Sequence, residues 1–262
     1  MEEPSTNAPR IGMQVVTRAA TVLRALGDTP SGLSLSELAA ACGMAKSTVH
    51  RLVAALEAED FVTTAARGKI RLGRGIARLG AATRDQLRDQ IRPHLVALHE
   101  QLMETVDVGV LDGGGVRLID HISAPHRLLA LSTTGARLPL HCTANGKALL
   151  AALPDDQMQA LLPARLTPVT DSTITSRRAF WEEIGKVRAA GVAHDHEEYT
   201  PGICGVSAVV RDAYGPVAAI SVPVPTQRFT GSERRVVEAL LAACATCSAA
   251  LGADLSAHPY AR

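Results

Sequence analysis

The sequence lacks any stretch near the length of about 18 consecutive apolar residues that a membrane-spanning helix requires. Its first ten residues, MEEPSTNAPR, lack the basic and apolar regions of a signal peptide. Five cysteines are present, an odd number without a repeating framework, which makes reduced thiols the default. We therefore expect a cytoplasmic protein that makes no membrane contact.

The motifs of common enzyme classes are also missing. The chain has no HExxH, no paired CxxC motifs and no G-x-S-x-G nucleophile elbow. Gly146-Lys147 lacks the upstream glycine of a phosphate-binding loop. Cys244 and Cys247 form a single CxxC, but they lie among alanines in a predicted helix, where buried thiols are the ordinary explanation. We predict no catalytic residues, no cofactor and no metal.

One segment rich in histidine and acidic residues is the strongest candidate for a metal site. Potential metal ligands occur at His141, Cys142, His194, Asp195, His196, Glu197 and Glu198. On an extended strand, however, the two histidines that flank Asp195 face the opposite side from it. The candidate is therefore weak.

The charge is distributed unevenly along the chain. The formal net charge is +1, but residues 1–88 contain 12 Lys and Arg against 8 Asp and Glu, and the remainder contains 15 against 18. Between Phe61 and Arg88, seven basic residues accompany a single acid, Asp85. A basic first third on a nearly neutral chain is typical of a DNA-binding module joined to another domain. The 262 residues, 47% of them hydrophobic, suffice for two cores.

Residues 34–60 have the pattern of a helix-turn-helix. Ser34, three residues before Glu37, predicts a capping box that starts the first helix. Gly43 can adopt the left-handed conformation needed to leave that helix, and a second helix is predicted from Lys46 to Ala58. The apolar face of this second helix comprises Val49, Leu52, Val53 and Leu56.

The opposite face of the second helix is polar, and we expect it to enter the major groove of DNA. Its candidate DNA-binding residues are Lys46, Ser47, Thr48, His50 and Arg51. Arg51 has the geometry for a bidentate contact to guanine. A dimer would place two such helices about one helical turn apart, or a multiple of it. Ala45, just before the helix, is a poor N-cap.

The next two segments predict a wing and a connecting helix. The run FVTTAARGKIRLG is typical of a β-hairpin, and its basic side chains suit a phosphate backbone. These candidate DNA contacts are Arg67, Lys69 and Arg71. Gly75 to Ile91 predicts a helix whose apolar stripe has no domain of its own to bury it, so we expect it to pair with its symmetry mate.

From Arg92 onward the pattern mixes helices and strands. A helix is predicted from Pro93 to Glu104, and DGGG at 112–115 predicts a hairpin within 106–122. Further strands are predicted at 127–132, 192–198, 206–211 and 217–224, a loop at 135–139, and helices at 143–153, 154–162, 176–191 and 232–251. Thr230 and Glu233 suggest a capping box for the last helix. This order predicts an α+β domain with an antiparallel sheet covered by helices.

Two segments of that domain are candidates for a ligand site. Thr143 to Lys147 lies at a helix start, where free backbone N–H groups and the helix dipole favour an anion such as a carboxylate. The loop from Gly202 to Gly205 lets a ligand approach the backbone closely.

Taken in order, these motifs resemble the IclR family of transcriptional regulators over about Ile11 to Gly252. The segments that carry the resemblance are KSTVHRLVAALE, GARLPLHCTANGKALLA and EEYTPGICGVSAVVRDAYGPVAAISVPVPTQRFT. The resemblance implies a GAF-like effector-binding domain and a homodimer or dimer of dimers on a palindromic operator. Ala45 departs from the Ser or Pro that family members commonly carry there. Cys204 and Gly205 occupy the region where the pocket loop often ends with a polar group.

We predict that the protein is a ligand-responsive transcriptional repressor that binds double-stranded DNA. Its predicted effector is a small organic acid. Its predicted parts are a disordered tail (1–10), a winged helix-turn-helix DNA-binding domain (11–73), a linker helix (74–91), an effector-binding domain (92–252) and a second tail (253–262). The resemblance and the ligand-site segments together make the effector-binding candidates Leu129, Ala144, Asn145, Gly146, Asp195, Ile203, Cys204, Gly205 and Ser221. The alternatives are a small-molecule-binding, metal-dependent enzyme with an accessory winged-helix domain and a winged-helix protein-interaction module, which the basic wing disfavours.

Overall fold

The computed structural model of the chain describes residues 11–29, 31–65 and 68–254. The chain divides into two compact units, and the boundary between Arg84 and Asp85 falls within one long helix. The predicted tail 1–10 and most of the tail 253–262 lie outside the described residues.

The first unit has the predicted winged helix-turn-helix. Its elements are α1 (Ile11–Gly27), α2 (Leu35–Cys42), α3 (Lys46–Ala58), β1 (Val62–Thr64) and β2 (Ile70–Leu72). The two strands pair antiparallel with Val62 opposite Leu72, and an isolated bridge joins Leu33 to Ile70. Its core is formed by buried side chains that include Val22, Leu26, Leu38, Val49, Val53, Leu56, Val62 and Ile70. Because α1, α2 and α3 share this core, packing of the inner face of α3 fixes the position of its outer face.

A single helix, α4 (Arg74–Leu102), replaces the two helices predicted at 75–91 and 93–104. Pro93 lies inside it, although proline removes one backbone donor and costs about 3 kcal/mol in a helix interior. The helix continues because its apolar side chains on both sides of Pro93 are buried in one core. These residues are Ile91, Leu95, Leu98 and Leu102. The predicted break at Arg92 is therefore wrong.

The second unit is an antiparallel sheet with helices on both faces. Its strands are β3 (Val106–Asp112), β4 (Gly115–Ile122), β5 (Arg137–Leu138), β6 (Ala193–His196), β7 (Ile203–Asp212) and β8 (Gly215–Pro225), in the sheet order β5-β4-β3-β8-β7-β6. Its helices after α4 are α5 (Ala144–Ala151), α6 (Asp155–Leu161), α7 (Arg177–Ala190), α8 (Thr226–Phe229) and α9 (Glu233–Ala250). This architecture confirms the predicted α+β class.

Two hydrophobic cores lie on opposite faces of the sheet. One packs α4 and α9 against the side chains of Val206, Ala208 and Val210. The other packs α5, α6 and α7 against the face that carries Val209 and Ala219. Neighbouring residues of a strand point to opposite faces, so β7 contributes alternately to both cores. None of the described helices is both long enough and apolar enough to cross a membrane.

The structure differs from the prediction between Ile122 and Pro139. Residues 127–132 form no strand, and β5 lies within the predicted loop, with Leu138 paired to Val116. The irregular segment is held by side chains instead: Thr105 Oγ1 donates a hydrogen bond to the Ala130 carbonyl at 3.0 Å, and an Arg228 nitrogen donates to the Leu128 carbonyl at 2.9 Å. These bonds occupy carbonyl groups that a strand would use in the sheet.

The predicted capping box of the last helix is also wrong. The N-cap of α9 is Ser232, and it makes no side-chain cap hydrogen bond. The hydroxyl of Thr230 donates instead to the Thr226 carbonyl at 3.1 Å, which closes the preceding helix α8. Because α8 ends just before α9 begins, the hydroxyl groups of Thr230 and Ser232 donate to carbonyl groups of α8 and do not cap α9.

Candidate functional site

The helix-turn-helix is built from local signals that the structure confirms. The Ser34 N–H donates to Glu37 Oε2 at 2.7 Å, and the Glu37 N–H donates to Ser34 Oγ at 3.3 Å, so the capping box is complete. Gly43 has a φ of 61°, the left-handed conformation of a helix end. The geometry fixes where α2 ends and α3 begins.

The predicted DNA-binding face of α3 is free of core contacts. Lys46, Ser47, His50 and Arg51 are exposed, and Thr48 is half-buried. Val49, Val53 and Leu56 are buried on the opposite side of the same helix. Four exposed polar side chains on the first two turns suit contact with base edges and phosphates.

Ala45 is the N-cap of α3 and makes no side-chain cap hydrogen bond, as its sequence predicts. Its carbonyl accepts the N–H groups of Thr48 and Val49 at 2.9 and 3.1 Å. The first turn of the helix therefore rests on backbone hydrogen bonds and on the packing of Val49 and the half-buried Met44.

The described basic residues of the wing already have partners within the first unit. Lys69 Nζ lies 2.7 Å from Glu37 Oε2, and the hydrogen bond lowers the pKa of Glu37 to about 2. Arg71 Nε donates to the Ser31 carbonyl at 3.1 Å. Arg67 lies outside the described residues. Lys69 thus joins the wing to the first turn of α2, and Arg71 joins it to the turn before α2. The sequence did not indicate this role.

The second unit contains a cavity of about 570 Å³. Its wall combines the sheet face that carries Ser221, the irregular segment 129–133, the first turn of α5 and the loop 199–201. A volume of this size suits a small organic molecule. The wall mixes apolar side chains with hydroxyl, amide and carboxyl groups.

Seven of the nine predicted effector-binding residues lie around this cavity. They are Leu129, Ala144, Asn145, Asp195, Ile203, Gly205 and Ser221. The other two do not line it. Cys204 alternates with Ile203 and Gly205 along β7, so its side chain joins the core on the opposite face of the sheet. Gly146 packs against the backbone of Leu140, where a Cβ would overlap the carbonyl oxygen, so its place is structural.

A buried polar network at the cavity centres on Asp107, a residue that sequence reasoning missed. Ser132 Oγ donates to Asp107 Oδ2 at 2.6 Å, and Asn145 Nδ2 donates to Oδ1 at 2.8 Å. Ser207 Oγ lies 2.9 Å from Asn145 Oδ1. Burial raises the pKa of Asp107, and the two donors oppose that rise. The sequence signal that could have indicated Asp107 is a single charged residue in the otherwise apolar strand VDVGVL.

Asp195 is the second carboxyl group of the cavity wall. Its Oδ1 accepts the Glu198 N–H at 2.7 Å. Burial raises the pKa of Asp195 to about 7, although that hydrogen bond opposes the rise. A carboxyl group with this pKa exists in both protonation states near neutral pH.

Lys147 is a fully buried cation, and its sequence position did not indicate that it forms a buried ion pair. Its Nζ lies 2.5 Å from Glu198 Oε1 and 3.5 Å from Glu183 Oε1. Because a buried charge is costly without partners, these two carboxylates explain how a lysine lies within α5. The ion pair joins α5 to the segment that leads into the cavity loop 199–201.

The histidine-rich segment does not assemble a metal site in the part of the chain that the structure describes. The rings of His194 and His196 stack with centroids 5.5 Å apart, and His194 Nε2 lies 3.1 Å from Glu233 Oε1. Asp195 faces the cavity. No group of three or more His, Cys, Asp or Glu side chains among the described residues is placed to hold a metal ion.

An exposed polar helix face in one unit and a partly open cavity of mixed polar and apolar lining in the other are features of a DNA-binding regulator with an effector domain. The family described as "IclR helix-turn-helix domain" matches residues 15–66, and "Bacterial transcriptional regulator IclR C-terminal" matches residues 79–249. The chain belongs to the IclR family of DNA-binding transcriptional regulators. Its relatives are regulators rather than enzymes, so the metal-dependent enzyme is not supported.

Three similar proteins illustrate the extent of this relationship. The HTH-type transcriptional regulator Rv1719 of Mycobacterium tuberculosis is 47% identical over 88% of this chain and 90% of its own length. The HTH-type transcriptional regulator TtgV of Pseudomonas putida is 35% identical over 92% of this chain and 93% of its own. The crystal structure of Thermotoga maritima IclR matches with a TM-score of 0.62 and 28% identity, covering 92% of this chain and 99% of that one.

Proposed function

We propose that this regulator is a repressor that binds a palindromic operator as a homodimer or a dimer of dimers, and that a small organic acid changes its affinity for DNA. The observation that carries the proposal is the pairing of an exposed polar helix face with a separate cavity of about 570 Å³. Neither feature alone implies regulation, whereas together they provide a surface that binds DNA and a site that binds the controlling ligand.

On the DNA side, α3 enters the major groove and Arg51 makes the specifying contact. This assignment is supported by the exposure of Arg51 and His50 on the face opposite Val49 and Val53. Lys46, Ser47 and Thr48 position the helix through bases or phosphates. Lys69 and Arg71 already contact Glu37 and the Ser31 carbonyl, so a DNA phosphate would compete with these groups for them. We therefore assign Lys69 and Arg71 the smaller part of the DNA-binding energy.

On the effector side, the acid group of the ligand binds at the first turn of α5. Support comes from Ala144 and Asn145, which line the cavity at the positive end of that helix. Leu129 and Ile203 supply apolar wall for the rest of the ligand. Gly205 lines the cavity, and because it has no side chain a ligand can approach the sheet backbone beside Ala144 and Asp195.

We assign residues 11–73 to DNA binding, 74–91 to a linker and dimerisation helix, and 92–252 to effector binding. The exposed Leu79, 56% accessible in α4, supports a partner helix at that position. A ligand that prefers one arrangement of paired effector domains would shift the spacing of the two recognition helices. The direction of this shift decides whether the acid releases or promotes DNA binding.

The test is a titration of the full-length protein against a fluorescent duplex from the promoter region of its own gene. We expect binding that weakens steeply with salt, because phosphate contacts release counterions. Randomising one half-site should weaken binding more than randomising the spacer. Adding members of a panel of small carboxylic acids should change the affinity for at least one of them. Absence of salt-sensitive binding to the promoter duplex would refute the proposal.

A further inference from the structure

The cavity wall carries two carboxyl groups, Asp107 and Asp195, and its described residues include no lysine, arginine or histidine. A carboxylate anion that enters the cavity therefore meets like charges without a cation on the wall. Like charges in a buried site raise each other's pKa, which favours taking up a proton. An acid effector is consequently bound best when either its own carboxyl group or the neighbouring carboxyl group of the wall carries a proton.

The two carboxyl groups belong to strands that lie three positions apart in the sheet. Asp107 pairs with Ser221, and Asp195 pairs with Gly205, in the strand order β3-β8-β7-β6. With strands spaced about 4.8 Å apart, their backbones are separated by roughly 14 Å. Each carboxyl group is therefore a separate candidate partner for the carboxyl group of a small acid.

Asp195 is the one beside the proposed ligand position. Around Gly205, the Cβ atoms of Ala144 and Asp195 both lie within 4 Å of the position that a side chain would occupy. Ala144 opens the first turn of α5, so Asp195 and this helix start face the same place on the sheet. Asp107, by contrast, already accepts hydrogen bonds at both oxygens.

The charged groups around Asp195 supply no spare positive charge. Lys147, from α5, is shared between Glu198 and Glu183 of α7, so one cation serves two carboxylates. His194 and His196 adjoin Asp195 on β6. Burial lowers the pKa of His194, which favours its neutral form. The remaining titratable neighbours are the phenol of Tyr199, which lines the same cavity, and the buried thiols of Cys142 and Cys204. Burial raises the pKa values of both thiols.

We propose that the organic acid effector binds together with one proton, which is shared between its carboxyl group and that of Asp195. The protein then responds to the neutral acid rather than to the free anion. In the complex, one of the two carboxyl groups carries the proton and donates its O–H to the other, so the site holds one negative charge instead of two. This inference rests on the proposed acid effector and specifies its bound form.

The proton balance depends on pH. Because the pKa of Asp195 is about 7, the empty site is already protonated well below that pH and takes up no further proton. Above pH 7 the site is ionised, and binding an anion requires one proton from solution. The Kd of an acid should therefore be nearly constant between pH 5.5 and 6.5 and should rise toward tenfold per pH unit above 7.

The experiment uses the full-length protein and a panel of monocarboxylic acids from acetate to 1-naphthoate, with each matching primary amide as a neutral control. Calorimetry at pH 8 in phosphate and in Tris, whose ionisation enthalpies differ, counts the protons taken up. We expect about one proton for an acid that binds and close to none for its amide. In Asp195→Asn the acid should bind without proton uptake, at least tenfold more tightly than wild type at pH 8.

Asp155→Asn, an exposed acid outside the cavity, is the matched control and should keep the pH dependence of wild type. An acid that binds wild type with a pH-independent Kd and no proton uptake overturns the proton coupling but leaves the acid effector in place. If no acid of the panel binds between pH 5.5 and 8.5, both statements about the effector fail. The promoter titration, which needs no ligand, still tests the DNA-binding function separately.

Discussion

Lys147 Nζ and Glu198 Oε1 form a buried ion pair at 2.5 Å, and it connects α5 to the segment that leads into the cavity loop. Both residues are almost inaccessible to solvent, with side chains 1% and 6% exposed. The other carboxylate oxygen of Glu198, Oε2, is buried without a hydrogen-bond partner among the described residues. The pair therefore holds the cavity wall at some cost in desolvation.

Replacing Lys147 by Met should destabilise the protein by about 3 to 5 kcal/mol, because the Glu198 carboxylate would remain buried without its cation. Urea unfolding measures the change. Lys186→Met is the control: Lys186 also pairs with Glu183, but it is 77% exposed, so its loss should cost less than about 1 kcal/mol. The double variant Lys147→Met with Glu198→Gln should recover part of the loss. Equal effects of the two lysine variants would contradict the assigned role of the pair.

Replacing Arg51 by Ala should strongly weaken sequence-selective DNA binding while leaving the fold intact, because Arg51 is exposed and makes no core contact. Loss of a bidentate base contact costs about 1 to 3 kcal/mol, and fluorescence anisotropy with the promoter duplex measures it. Arg234→Ala, an exposed arginine of the second unit, controls for the change in net charge. Selective binding of wild-type strength by the Arg51 variant would refute the assignment.

Replacing Ala45 by Ser should stabilise the first unit by about 1 kcal/mol, because a serine hydroxyl can accept a backbone N–H that the alanine side chain cannot. The backbone is already suitable: Ala45 has φ −59° and ψ 138°, close to the −68° and 161° of the N-cap Ser34. Thermal unfolding of the full-length chain measures the gain. The same change at Ala54, exposed in the middle of α3, should bring no gain. A gain of equal size at both sites would show that capping is not the cause.

Replacing Gly146 by Ala should be severely destabilising, by about 2 kcal/mol or more, because the new Cβ would overlap the Leu140 carbonyl. Gly185 provides a matched control within α7, where an added Cβ has no atom within 4 Å. There the same substitution should stabilise by up to about 1 kcal/mol, since alanine is the better helix former. Differential scanning calorimetry compares the two. A tolerated alanine at 146 would restore that position as a candidate ligand contact.

Replacing Asp195 by Asn should stabilise the protein at pH 8 by roughly 2 to 4 kcal/mol, with a smaller gain at pH 5. The sign follows from the pKa, which rises from an ordinary value of 3.8 to about 7 on folding. The folded state holds the proton more tightly, so stability falls as pH rises from about 4 to 7. Asn cannot ionise, and its oxygen can still accept the Glu198 N–H. Unfolding by urea at both pH values tests this, and a gain independent of pH would contradict it.

The elements of the first unit were predictable because their signals are local. Ser34 and Glu37 are three residues apart, and Gly43 lies one residue beyond the end of the helix that they start. The same holds for Ser176 and Gly191, which bound α7. Such signals act through backbone hydrogen bonds within one or two turns, so a short stretch of sequence contains the whole interaction.

The errors occurred where distant residues decide the outcome. The strand expected at 127–132 is absent because Thr105 and Arg228, far away in the chain, bind its carbonyl groups. The break expected at Arg92 is absent because the sheet buries the apolar side chains on both sides of Pro93. In both cases tertiary contacts outweigh a local preference worth a few kcal/mol.

The sequence by itself determined the class of this protein: a winged helix-turn-helix with an exposed polar face, followed by an α+β domain of the IclR family. It did not determine the chemistry of the cavity. Asp107 and Asn145 are 38 residues apart, and Lys147 and Glu198 are 51 apart, yet each pair is in hydrogen-bonding contact. Only the folded sheet and the packing of α5 against it bring these groups together. Burial and partners, which a linear pattern does not contain, then set their charges.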